Sequence, residues 1–152
     1  MTENPFSSFN IEMPKKYDDQ IKNYCMTGGG SKSREQSPFE RQVDFWYSAF
    51  LLAVKYKLAP APEKDTYNVT PATILSTDSY RITHIQAAYL AITEDFEGLA
   101  ENKKVLDFAL GMANAGIPKL LQILSDTDQK PLWNILDEVE GGLSDHGKAT
   151  ST

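Results

Sequence analysis

One cysteine and two histidines are all that this 152-residue chain holds of those residue types: Cys25, His84 and His146. A disulfide framework needs paired cysteines and a four-cysteine zinc site needs more, so both are excluded. Long apolar runs are lacking as well. The longest, around Phe45–Val54, is interrupted by Ser48 and bounded by Asp44 and Lys55. A membrane span needs about 20 apolar residues, so no transmembrane helix is expected. The start, MTENPFSSFNIEMPKKYDD, has no basic segment followed by an apolar one, as a secretory leader would. With a lone thiol, that absence points to the reducing cytoplasm. Excess positive charge is missing too. Fifteen Lys+Arg face 21 Asp+Glu, for a net charge of −6, which argues against a general nucleic-acid coat protein.

What the chain does have is apolar and aromatic side chains, 41% and 11% of it. That excludes intrinsic disorder. The length suits one domain, which buries about 68–70% of its unfolded surface without metal or disulfide. The negative charge is segregated. Residues 1–93 are neutral, with ten basic and ten acidic side chains, whereas residues 94–152 carry five basic and eleven acidic ones. An acidic last third keeps a protein soluble and also steers a basic partner.

Periodicity divides the chain into helices. Residues 1–14 lack a pattern and are expected to form a mobile tail. Lys15–Met26 spaces Tyr17, Ile21, Tyr24 and Cys25 as on one helix face, and Gly28–Gly30 opens a loop. Residues 1–36 are thus a tail with a short helix and a glycine-rich loop. Ser37–Pro38–Phe39–Glu40 has the order of a helix N-terminus: a hydroxyl cap, proline at the first position and a capping-box glutamate. The helix it opens is apolar nearly all round, which places it at the centre of the fold. Leu58–Pro62 stops it. Thr70–Pro71 starts a short helix, and Asp78 caps another in which Ile82, Ile85, Tyr89, Ile92 and Phe96 recur at helical spacing. A helix over Glu101–Ala115 breaks at Gly116–Ile117–Pro118. A compact one follows around Leu120–Leu124, and a last one runs from Pro131 to Val139 with Leu132, Ile135, Leu136 and Val139 inward, ended by Gly141–Gly142. The expected fold is all-α: an orthogonal bundle of about five to six helices over residues 37–142, with a disordered tail over 143–152.

Few of these residues point to catalysis. GGGSKS over 28–33 lacks the spacing and the preceding strand of a phosphate-binding loop. His84 has only His146, in the expected tail, as a fellow histidine, and Cys25 has no evident base. The carboxylate groups Asp18–Asp19, Glu94–Asp95–Glu97 and Asp137–Glu138–Glu140 read as solvated faces. No cofactor and no metal is expected. The aromatic trio Phe45–Trp46–Tyr47 is more informative. At about 100° per residue three consecutive rings spread over some 200°, so one faces away from the core. The outward ring packs against a second layer of the same domain or anchors an interface, and Phe45, Trp46, Tyr47 and Phe50 are the candidate interface with a protein partner or a second copy of the chain. Lys15, Lys16, Lys32, Arg34 and Arg41 gather before the central helix and are the candidate contacts for DNA, although nearby acids balance them.

The run SPFERQVDFWYSAFLLAVKYKLAP resembles the central helix of a small bacterial helical family associated with DNA phosphorothioation (Dnd) systems. LAITEDFEGLAENKKVLDFALGMANAGIPKLLQIL is similar to that family's second half. Pro38–Phe39 and Ala113–Asn114–Ala115–Gly116 carry the match, which spans roughly residues 37–136. Lys57–Pro60 is less basic than the family's helix end. The resemblance implies an accessory protein encoded beside a DNA-modification or restriction system, and it transfers no catalytic residue. The expected function is therefore a non-enzymatic adaptor acting through protein contacts, its acidic third meeting a basic partner. The rival readings are a small DNA-binding module and a small enzyme or nucleotide-dependent regulator.

Overall fold

A computed structural model describes residues 4–28 and 33–150. The expected glycine loop and Lys32 lie largely outside them. The elements in chain order are β1 (Asn10–Pro14), α1 (Asp18–Asn23), α2 (Gln42–Lys55), β2 (Thr66–Pro71), α3 (Tyr80–Thr93), α4 (Asn102–Leu124) and α5 (Pro131–Thr150). Turns of 3₁₀ helix at Lys15–Tyr17, Met26–Gly28, Ala72–Asp78 and Gly98–Ala100 connect them. The fold is mainly helical rather than all-α. β1 and β2 pair antiparallel into a two-stranded sheet, with a register irregularity between Ile11 and Glu12.

This sheet overturns the reading of residues 1–14 as a mobile tail. Phe6, Ile11 and Met13 are fully buried and belong to the same core as the helices. The backbone of the segment is tied down outside the strand pairing as well. Ala72 N–H donates to the Phe9 carbonyl at 2.9 Å, and Asn4 Nδ2 donates to the Ala72 carbonyl at 3.0 Å. Tyr67–Val69, which alone has the β-forming composition of a short strand, gains a partner only from this distant segment.

The cap expected at Ser37–Glu40 is also displaced. The helix begins at Gln42, after Arg41, and Asp44 in its first turn accepts from the Arg41 N–H at 3.1 Å. Residues 37–40 bond to the end of α1 instead. Ser37 Oγ donates to the Asn23 carbonyl at 2.8 Å, Phe39 N–H to the Tyr24 carbonyl at 3.1 Å and Met26 N–H to the Phe39 carbonyl at 2.8 Å. These long-range backbone bonds satisfy groups that a helical turn would have satisfied locally.

The main packing is α2 against α4. α4 runs unbroken through Gly116 and Pro118, where a break is expected from the sequence. Pro118 is exposed, so its ring meets solvent, and the lost N–H forfeits only one helical bond. Gly116 faces the Ala49 carbonyl of α2, and a Cβ there would overlap that oxygen. The glycine is the condition for the two backbones to touch. Pro60–Ala61 then straps across α4: Ala61 N–H donates to the Gly111 carbonyl at 2.9 Å, and Asn114 Nδ2 donates to the Ala61 carbonyl at 3.0 Å. α5 continues helically past Gly141–Gly142 to Thr150, where a stop and a disordered tail are expected. Among the described residues no helix is long and apolar enough to cross a membrane.

Candidate functional site

The aromatic residues expected to form an interface form the core. Phe45, Trp46 and Phe50 are fully buried and Tyr47 is 7% exposed. Phe45 meets Phe39 edge-on at 5.4 Å, Trp46 lies along Phe50 at 6.4 Å, and Tyr47 stacks with Phe50 and with His84. The 200° spread of the trio is real. Every side of α2 that it reaches is nevertheless covered: Phe39 lies on Phe45, Tyr80, Arg81 and His84 lie on Tyr47, and α4 packs along the helix. Phe45, Trp46, Tyr47 and Phe50 are therefore not a docking patch.

The open apolar face lies at the other end of α2. Ser48, Leu51, Leu52 and Lys55 follow one another at helical spacing and make one wall of a groove of about 510 Å³. Leu120 and Ile123 of α4 form its floor, and Ile135, Glu138 and Val139 of α5 its other wall. Leu51 is 41% exposed and Val139 55% exposed. α5 is held at two places and leaves space between them. At its start Leu132 N–H donates to the Glu35 carbonyl at 3.0 Å, Lys130 pairs with Glu35 at 2.7 Å and Asn134 Nδ2 donates to the Asp126 carbonyl at 2.9 Å. Farther along, the Glu138 carboxylate takes Lys55 Nζ at 2.7 Å and the Tyr56 hydroxyl. Burial pushes the Glu138 carboxyl up, but the bonds from Lys55 and Tyr56 outweigh it and hold the group below its usual range. The same contact raises Lys55. Lys119 Nζ stands 4.0 Å from the Tyr56 ring centre and adds a second cation near this clasp.

Beside the groove is a smaller polar hollow of about 250 Å³, bounded by Ile123, Asp126, Gln129, Asn134, Asp137 and Glu138. Ile123 and Glu138 are common to both cavities. The acidic last third of the chain thus meets the apolar groove here. Between residues 126 and 140 five acids stand against one base, Lys130.

The remaining candidates are absorbed by structure. His84 is exposed, with Nδ1 bonded to the Tyr47 hydroxyl. The Arg81 guanidinium lies 4.5 Å from the Tyr47 ring centre and pairs with Asp44 at 3.1 Å, and Arg41 pairs with Asp44 at 2.9 Å and with Asp78 at 3.1 Å. This network fastens the start of α3 to the start of α2. Burial raises the Asp44 carboxyl, but hydrogen bonds from Arg41 and Arg81 prevail and leave it lowered. Cys25 is buried, and burial followed by the charge of Asp44 pushes its thiol up to about 12, so it stays protonated and unreactive at neutral pH. Neither His84 nor Cys25 lines either cavity.

Asp95 accepts from the Tyr89 hydroxyl at 2.6 Å and the Gly98 N–H at 3.0 Å and pairs with Lys104 at 3.1 Å. Those contacts, the Tyr89 hydroxyl foremost, bring its carboxyl down to about 2 and close the loop between α3 and α4. Asp18 pairs with Lys22 at 3.0 Å. Among the described residues no group of three or more His, Cys, Asp and Glu side chains is placed to hold a metal ion.

Three of the five basic residues expected at a DNA contact are engaged elsewhere. Lys16 pairs with Glu63 at 3.3 Å, Arg41 with Asp44 and Asp78, and Arg34 Nη1 reaches the Pro38 carbonyl at 3.4 Å. Lys15 is exposed, and Lys32 lies outside the described residues.

Comparison with family models, with curated proteins and with solved structures finds no match to this chain.

Sequence reasoning missed Leu51, Leu120, Ile123 and Val139 as a site, because it counts them as core. Leu136 and Val139, expected inward, are 40% and 55% exposed. The usable signal was a surplus. α2 and α5 are both rich in apolar residues, some of them on faces that no other described helix covers.

Proposed function

We propose that this chain is a non-enzymatic adaptor that binds a helix of another protein in the groove between α2, α4 and α5. The observation that carries this reading is the groove itself: an apolar trough open to solvent, walled by side chains at helical spacing, with two lining residues more than 40% exposed. Helix-in-groove recognition uses such a trough, with anchors at i, i+3, i+4 and i+7 supplied by the guest. The occupant is a partner rather than a second copy of the chain. In a two-fold pairing across this face a second copy would bring the same acidic stretch, Asp126–Glu140, and like charges would meet. The DNA-modification setting of the adaptor rests on the resemblance of residues 37–136 alone.

A photoreactive amino acid at position 51 tests this in the native host. Leu51 is exposed, so the exchange leaves the core intact. The expected result is a crosslink to one helical segment of another protein, mapped by mass spectrometry and lost when Ile123 is changed to glutamate in the folded chain. Crosslinks confined to the chain itself would overturn the proposal.

A further inference from the structure

We infer that the guest helix is cationic and that it lies with a Lys or Arg side chain in the polar hollow beside the groove. This rests on the docking reading above and adds the chemistry of the occupant. The groove and the hollow adjoin, sharing Ile123 and Glu138 as lining residues, so a helix seated in the groove lies next to the hollow. The acids of the hollow are not equivalent. Glu138 is already engaged by Lys55 and Tyr56. Among the described residues the Asp126 carboxylate accepts only the Asp128 N–H, and the Asp137 carboxylate only the Gln129 amide. Among the described residues neither is ion-paired. An ionised carboxylate has about four acceptor sites, so each keeps capacity for an ammonium or guanidinium group.

Charge also selects among occupants. An acidic helix or an anionic lipid surface would meet Asp126, Asp128, Asp137 and Glu140, with Lys130 held by Glu35 and Lys55 on the groove wall taken up by Glu138. A neutral amphipathic helix would fill the floor and leave the hollow to water. Only a helix with apolar anchors on one face and a basic residue at the edge of that face satisfies both cavities.

Two designed helical peptides with one leucine stripe, carrying Lys or Gln at the remaining positions, distinguish these cases in titrations of the full chain. The Lys peptide is expected to bind about tenfold or more tightly than the Gln peptide, with the ratio shrinking as salt is raised. The double substitution Asp126→Asn, Asp137→Asn should remove most of that ratio and leave the Gln peptide's affinity unchanged. Both aspartates are exposed, so the variant should keep its melting temperature. Leu51→Ser should weaken both peptides. If Leu51→Ser weakens both while the asparagine pair leaves the Lys preference intact, the charge inference falls and the groove reading stands. If Leu51→Ser changes neither affinity, or if neither peptide binds, the docking reading falls and the inference with it.

Discussion

Gly116→Ala is expected to destabilise the protein by about 3 kcal/mol or more, lowering the melting temperature by roughly 6–12 °C. The reason is backbone contact. The new methyl group would occupy the position of the Ala49 carbonyl oxygen, which is main chain and has no rotamer to yield. Relief requires α2 and α4 to separate, and this pair is the principal packing of the fold. The loss would be a large part of the roughly 5–15 kcal/mol that keeps a domain folded. Gly141→Ala is the internal control. Position 141 is also helical, but nothing lies within 4 Å of a Cβ there, so alanine should stabilise by about 0.5–1 kcal/mol through helix propensity. Equal effects at the two positions would mean that α2 and α4 do not cross at Gly116.

Phe6→Ala is expected to cost about 3–5 kcal/mol, comparable to truncating a residue in the middle of α2. Phe6 is fully buried although it stands near the start of the chain, and with Ile11 and Met13 it extends the core around the central helix. Truncation would leave a cavity in that core, whose side chains relax only partly into the space. Thermal unfolding followed by near-ultraviolet circular dichroism reads the effect. A change within about 0.5 kcal/mol, as at a solvated position, would mean that the segment does not pack on the bundle.

These two residues also show where the sequence is legible. The helices that carry long periodic stripes, α2, α3 and α4, are readable because each buries a face of its own residues. β1 is not, because Ile11–Glu12–Met13 is too short an alternation to stand out and its partner, Thr66–Pro71, lies some fifty residues away. Gly116 and Pro118 read as breakers by local rules. The helix continues because Pro118 faces solvent and Gly116 is required where α2 and α4 meet. The spread of the aromatic trio predicts that one ring faces away from the core, whereas all three are buried. The trio's rings are covered by Phe39 on one side and by Tyr80 and His84 of α3 on another, and the apolar surface left open is at Leu51 and Val139. Composition shows how much apolar surface a chain carries, whereas only the assembled fold shows which face is left open. The acidic last third is the part of the candidate site visible from the beginning, since Asp126, Asp137 and Glu138 all belong to it.

The most direct measurement is a methyl-resolved NMR titration of the full chain with the lysine-bearing amphipathic peptide. The expected result is a contiguous set of shifts at Leu51, Leu52, Leu120, Ile123, Ile135 and Val139, with Ile11, Ile21 and Ile85 unmoved in the closed core. Shifts centred on those core methyls, or no shifts at saturating peptide, would contradict the assignment of the α2–α4–α5 groove as the place where this protein meets its partner.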